Sequence, residues 1–524
     1  MSSTDTREAA PISDYAIVVD PRDNLAVVKR ETQPGLEVAL ADYHIVCVSA
    51  VVPPGHRFAT RDIPAGEFVL QYGQPIGTSL GICEGDYITH ENMSNDVPVV
   101  RDLPDDLSTP PPDYVPAAER ATFMGFRRAD GRVGTRNYIL IVPTSMCASH
   151  EAQQISMMSE FMYYKREKYA NVDGVVAIPH NKGCGCQDGS TIDVMLRTLS
   201  NYADHPNVGG VILIDLGCEK TNLAYVEKWL RQEERSFNKP FAKIGIQEIG
   251  GTEAAIKRGL EEVQRMLPEV NRAARVETPV SELVLGVKCG GSDGFSGISA
   301  NPSLGRAADA LVRSGGTVLI TEIPEFCGAE HILAHRAKDA ATGRAVYRMV
   351  DWYKEYASKF GAVLNQNPSP GNIAGGLLNI TIKSLGAMSK AGTTRVEGTV
   401  EYAETPRAHG LHLMQGPGYD QESTPGLVAA GATVVVFTTG RGTTIGNAIA
   451  PVIKLASNNT VFERMSRDLD LSAGGVIDGT ETIDQVGSRV FEHIRRVASG
   501  EALAKAEEHK HREFQFWAEQ TVSL

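Results

Sequence analysis

Residues 283–297 read LVLGVKCGGSDGFSG. The first half is an aliphatic run of the length expected for a buried strand, and it stops at Cys289, where glycines, Ser292 and Asp293 take over. A helical period follows in PSLGRAADALVRSGG, at 302–316. Apolar run, small-residue loop and helix together make one unit of a parallel α/β sheet, whose strand-end loops converge on a ligand.

The same unit recurs along the chain. NYILIVPTSMCAS (137–149) leads to Cys147, and VDGVVAIPHNKGCGCQDGS (172–190) to His180, Cys184 and Cys186. VGGVILIDLGCEKT (208–221) leads to Asp215, Cys218 and Glu219. GTVLITEIPEFCGAEH (316–331) leads to Glu322, Glu325, Cys327 and His331, and ATVVVFTTGRGTTIGN (432–447) to Arg441. Six of the eight cysteines therefore follow the carboxyl end of an apolar run, which favours one collected site over scattered thiols.

A length of 524 residues implies two or three domains. With 42% hydrophobic and 22% charged residues the chain is expected to fold along most of its length. Its formal charge of -13 argues against nucleic acid or an anionic membrane as partner. No signal segment or transmembrane run is read, so a cytoplasmic protein with free or metal-binding thiols is expected. The first dozen residues read as a loose tail. Residues 14–95, with short alternating runs between PPG, PAG and EGD turns, read as a small β domain. Residues 96–122, rich in Pro and Asp, read as a linker. A middle α/β domain is expected over 123–275 and a C-terminal one over 276–524, with an amphipathic helix at 487–514.

Cys47, inside HIVCVSAVV, reads as a small buried hydrophobe. The strand-end thiols read instead as metal ligands or redox groups, although GCGC at 183–186 lacks zinc-ribbon spacing. His180 suits a general base or a histidine that ties its own loop. Glu322 and Glu325 suit catalysis or loop capping. Arg441, between glycines, suits a bidentate grip on a carboxylate. No glycine-rich loop has a dinucleotide or Walker pattern.

Together, GRVGTRNYILIVPT, DLGCEK, KCGGSDGFSGISANP, NPSPGN, KSLGAMSKAG, GPGYD and TTGRGT followed by PVIKLA resemble the altronate/galactarate dehydratase family over nearly the whole chain. The resemblance implies a small SAF-type β-clip domain, a middle region that contributes to a homodimer, and a Rossmann-like C-terminal domain. It implies dehydration of a six-carbon sugar acid to a 2-keto-3-deoxy acid, with Fe2+ or another divalent metal (Mn2+, Mg2+ or Ca2+). Its loop motifs map here onto strand-end and loop residues, and the chemistry of the residue types, rather than the family, assigns their roles. His180, Asp293, Glu322 and Glu325 are read as catalytic, Arg136, Asn137, Ser292, Asn367 and Arg441 as substrate-binding, and Cys147, Cys184, Cys218 and Cys289 as metal ligands. Where altronate dehydratases carry a histidine-rich HVHxHN string, this chain has DYITHENM, which removes the basis for a metal role of the β-clip. A sulfolactate-type sulfo-lyase, an iron-sulfur hydroxy-acid dehydratase and a sugar-acid binding protein are the competing expectations.

Overall fold

The computed structural model describes residues 9–230 and 237–518. The expected tail at residues 1–12 falls largely outside them, and Ala10–Pro11 is a strand beside Leu36–Ala39. Residues 10–94 build the small β domain from three three-stranded sheets. Val38, Val46, Val48, Val52 and Phe58 give it a core of its own. Leu25, Val27, Val69 and Ile76 instead join the core of the C-terminal sheet, so the domain is welded on rather than tethered. Cys47 is exposed, contrary to the buried reading, because it alternates with the inward Val46 and Val48.

Two parallel sheets carry the rest. The first uses β1 (Tyr138–Pro143), β2 (Gly174–Ala177), β3 (Val208–Asp215) and β4 (Phe241–Gly245), in the order β2-β1-β3-β4. Its strands read as continuous apolar runs because both faces are covered. Ile139, Ile141, Ile212 and Ile214 meet the helices Ser149–Met162 and Thr252–Val270 on one face. Leu140, Val142, Val211 and Leu213 share a core with Phe437 and Leu427 of the C-terminal region on the other.

The second sheet uses β5 (Val284–Cys289), β6 (Thr317–Ile320), β7 (Val396–Val400), β8 (Gly410–Met414), β9 (Val434–Thr439), β10 (Val452–Ala456) and β11 (Leu471–Ser472). Their order is β7-β8-β6-β5-β9-β10-β11, all parallel. In each sheet the chain first builds one side of its first strand and then the other. The resulting breaks, between β1 and β3 and between β5 and β9, are where ligand crevices form at strand carboxyl ends.

A small antiparallel sheet, Thr122–Arg127 with Val133–Gly134 and Val276–Pro279, joins the two large ones. The Pro-rich 96–122 segment lies along the C-terminal region, with Arg101 on Glu330 and Asp351. Past Ile483–Ala498 the expected C-terminal helix breaks at Gly500, whose φ of 74° leaves the helical region, and resumes only as Lys505–Glu508. The helix that follows β3 is Leu223–Leu230.

Candidate active site

At the carboxyl ends of β5 and β6 three lysines meet three carboxylates. Lys288 is the penultimate residue of β5 and wholly buried, with Nζ 2.5 Å from Glu322 Oε1 and 2.7 Å from Asp420 Oδ1. Lys390 Nζ lies 2.8 Å from Glu322 Oε2 and donates to Cys289 Sγ at 3.0 Å. Lys383 Nζ lies 2.7 Å from Glu325 Oε1 and donates to Asn367 Oδ1 at 2.9 Å. Asn367 closes the ring by donating from Nδ2 to Glu325 Oε1 at 3.3 Å. Glu322 leaves β6 in the left-handed region, φ 74°, and that turn aims its carboxylate back across the end of β5, where it accepts the Cys289 amide.

Burial and charge set the protonation states. Burial works to raise the Glu325 carboxyl, but Lys383, Lys288 and Lys390 outweigh it and hold the group below its ordinary range. Burial works to lower Lys383 and Lys390, but Glu325 holds the first above its ordinary range, and the Cys289 sulfur and the Glu322 carboxylate hold the second above it. The Cys289 thiol is pushed up to about 12 by burial and then by Glu322, against the pull of Lys390. At neutral pH the cluster therefore holds charged lysines, an ionised Glu325 and a neutral thiol.

Beside this ring, Asp293 follows β5. Its carboxyl accepts from Ser296 Oγ at 2.8 Å, Ser457 Oγ at 3.0 Å and Asn458 Nδ2 at 3.0 Å. Burial still outweighs the bonds from Ser296 and Ser457 and raises its pKa. A cavity of about 10 Å³, room for about one water, is lined by Asp293, Lys383, Ser292 and Tyr72 of the small β domain. The buried Ser292 Oγ has no hydrogen-bond partner among the described residues, so the cavity is polar and one bond short. Arg441 stands exposed at the rim, its backbone tied to Gly291 O at 2.8 Å across the β5/β9 break.

The small β domain closes one side. Gly55 has φ 85°, and a side chain on Gly294 would overlap the Gly55 backbone, so both positions require glycine. Arg57, wholly buried, donates to the carbonyl of Gly376.

Several expected site residues lie elsewhere. Arg136 and Asn137 precede β1, at the amino end of the first sheet and away from its ligand edge. Arg136 pairs with Glu507 at 2.7 Å, and Asn137 donates to the carbonyls of Asn171 and Val270. Both hold backbone segments together. His180 follows β2, where Nε2 donates to Pro143 O at 3.0 Å and Nδ1 accepts from Lys182 N at 3.2 Å. Neither nitrogen is left for a substrate proton, so the loop-tying reading holds. Burial lowers its pKa to about 4.

A stability effect follows, with its sign fixed by that depression. The folded protein binds this proton less readily than the unfolded chain, whose histidine titrates near 6.5. The contribution is therefore complete above about pH 6.5 and is lost as pH falls toward 4, by roughly 2–4 kcal/mol. Chemical denaturation across that range should show this slope in the wild type and lose it in His180→Gln.

Cys147, Cys184 and Cys218 are exposed on the loops after β1, β2 and β3, apart from Cys289. The site described so far thus contains Asp293, Glu322, Glu325, Ser292, Asn367, Arg441 and Cys289 of the expected set. The sequence reading missed Lys288, Lys383, Lys390 and Asp420. Two signals were available: a lysine inside the apolar run LVLGVKC, and lysines seven apart in KSLGAMSK, hence on one helical face.

One ligand atom each from Cys289, Glu322 and Glu325 lies within 4.8 Å of the other two, a spacing that could hold an ion. The donors do not suit the implied dication, however. Both Glu322 oxygens and Glu325 Oε1 are taken by ammonium groups, and the thiol resists ionisation. A dication there would face three positive charges at close range.

A charged strand-end cluster, buried in a parallel α/β sheet and opening on a polar cavity, is the construction of an enzyme active site. Comparison with known proteins specifies the enzyme. Residues 280–522 match the family described as D-galactarate/Altronate dehydratase, C-terminal, and residues 125–271 match D-galactarate dehydratase/Altronate hydrolase, second domain. Residues 14–96 match the altronate/galactarate dehydratase SAF domain. The chain is 34% identical to altronate dehydratase of Bacillus subtilis (strain 168) over 93% of its length and 95% of that protein's. It is 35% identical to galactarate dehydratase (L-threo-forming) of Escherichia coli (strain K12) over 95% of each. Against the (2R)-sulfolactate sulfo-lyase subunit beta of Chromohalobacter salexigens it is 32% identical over 75% of this chain and 96% of the other. The chain belongs to the altronate/galactarate dehydratase family, a family of hydro-lyases. Among the described residues no helix is long and apolar enough to cross a membrane.

Proposed function

We propose that this enzyme removes water from a six-carbon sugar acid of the altronate or galactarate type, giving a 2-keto-3-deoxy acid. The observation that carries the reading is the lysine–carboxylate ring around Glu325, in the region that matches the dehydratase C-terminal family. Such an elimination takes a weakly acidic proton from C2, beside the substrate carboxylate, and expels the C3 hydroxyl. The negative charge that builds on the carboxylate needs fixed positive charge nearby.

Glu325 is the base. It is ionised at neutral pH, and its Oε2 has the Cys289 thiol at 3.8 Å as its hydrogen-bonding neighbour, whereas Lys383 is bound to Oε1. Lys383, positioned by Glu325 and Asn367, faces the developing enediolate, with Lys288 and Lys390 behind it. Asp293 keeps a raised pKa and lines the same cavity, which suits it to protonate the departing hydroxyl. The resulting enol becomes the ketone by tautomerisation. Arg441 at the rim grips a carboxylate of the substrate.

The test is turnover across altronate, galactarate and related aldonates and aldarates, under anaerobic conditions with ferrous iron, following 2-keto-3-deoxy acid and, with sulfolactate, sulfite. Formation of the keto acid from one sugar acid is expected, and sulfite release alone would overturn the reading. On the productive substrate, Arg441→Ala should raise KM about 10- to 100-fold with a smaller change in kcat, because a rim contact acts on ground and transition states alike.

A further inference from the structure

We propose that the carboxyl edge of the first sheet is an iron–sulfur site, with Cys147, Cys184 and Cys218 as its thiolate ligands and one iron left open. The three residues lie on three different loops, and those loops touch. Met146 N donates to Lys182 O at 2.7 Å, which joins the Cys147 loop to the Cys184 loop. Ser145 Oγ donates to Glu219 Oε1 at 2.9 Å and Thr221 Oγ1 to Thr144 O at 2.6 Å, which join the Cys147 and Cys218 loops. Lys220 Nζ donates to Cys186 O at 2.9 Å and joins the Cys218 loop to the Cys184 loop. Glu219 also accepts the amides of Leu216 and Gly217, so the turn carrying Cys218 is fixed from within.

All three thiols are solvent-exposed, whereas Cys186 between them is buried in the apolar core and is left out of the set. Free cysteines ordinarily pack inside, and three outward thiols on one strand edge, at the β1/β3 break, suit ligation. Spacing selects the kind of metal. Bonds of about 2.3 Å to one ion confine its thiolates to within about 4.6 Å of each other. Among the described residues these three sulfurs do not form such a set, so this arrangement does not suit one ion, whereas a cluster takes each thiolate on a separate iron.

One helix links the edge to the site already described. Asp420 is bound to Lys288, and Glu422, two residues on, feels the charge of Lys182, the residue before Gly183–Cys184. The helix that begins at Asp420 thus touches the lysine ring through its first residue and lies within charge range of the Cys184 loop at its third. When bound, a cluster with one open iron would supply a Lewis acid for a substrate oxygen. The site stands on the thiols alone and does not depend on which substrate turns over.

The full-length protein, reconstituted anaerobically with ferrous iron and sulfide, should bind about four irons and four acid-labile sulfides per chain and turn brown with broad visible absorption. Cys147→Ser, Cys184→Ser and Cys218→Ser should each lose at least five-fold in labile sulfide, while Cys47→Ser, Cys83→Ser and Cys289→Ser load like the wild type. Circular dichroism and melting of each apo variant report whether it is folded. Iron without labile sulfide, full loading of the Cys147/Cys184/Cys218 triple variant, or loss confined to Cys289→Ser would overturn the proposal. None of these readouts requires turnover, so they remain decisive if the sugar acids prove inert.

Discussion

Glu322→Gln is expected to destabilise the protein by about 3–5 kcal/mol, the loss that follows when one member of a buried ion pair is removed. The carboxylate is wholly buried between Lys288 and Lys390, and its second oxygen also accepts the Cys289 amide. In the variant Lys288 keeps Asp420, but Lys390 is left with the Cys289 sulfur, a weak partner for a desolvated ammonium. A deficit of this size is a large share of the stability of an ordinary domain. Glutamine has nearly the same shape, so the loss reports charge rather than packing.

The sign can be checked with pH. In the wild type Lys390 is held above its ordinary value, so its contribution persists through neutrality and is lost only as pH rises through that elevated value. Without Glu322, burial dominates and the folded-state pKa drops below the unfolded one. The variant's deficit should therefore shrink toward alkaline pH. Adding Lys390→Met should recover part of the loss, and a double-mutant cycle by urea denaturation measures the coupling. A deficit that is constant with pH and not relieved by the second substitution would show that the pair is not the cause.

Lys383→Met carries the second large effect, on turnover. Removing one charged donor aimed at a developing oxyanion costs about 10²–10³-fold in kcat, with KM less affected. Lys383 is also, after burial, the largest influence on the Glu325 carboxyl, which it lowers. Its loss lets that pKa rise, so the acidic limb of the pH–rate profile should move to higher pH. Lys383→Arg, which keeps the charge, should leave the limb near its wild-type position even if kcat falls. A fall in rate with an unmoved acidic limb would separate Lys383 from Glu325 and remove Glu325 as the base.

The strand-end residues were legible because an apolar run flanked by small residues fixes where a parallel strand stops. Cys289, Asp293, Glu322 and Glu325 could be placed at the ligand edge on that ground alone. Arg136 and Asn137 were misplaced because their motif, GRVGTRN, comes before its run, and the residues before a parallel strand lie at the opposite edge. His180 was placed at the right edge but not given the right work, since the partner of its Nε2, the Pro143 carbonyl, comes from another stretch of chain, while Lys182 N holds Nδ1 within its own loop. The lysines were passed over because a lysine in a helix or beside a loop ordinarily points to water.

By itself the sequence determined the alternation of strand and helix, the small β domain and the family, all of which rest on local period and ordered motifs. Tertiary structure decided which of the gathered groups act together. It divided the cysteines between two edges and brought Lys383 and Lys390 onto Glu325, Glu322 and Cys289, from 58 to 101 residues downstream of them. Local pattern constrains each residue's own backbone, whereas the charge state of a buried group is set by whatever distant segments the fold packs against it.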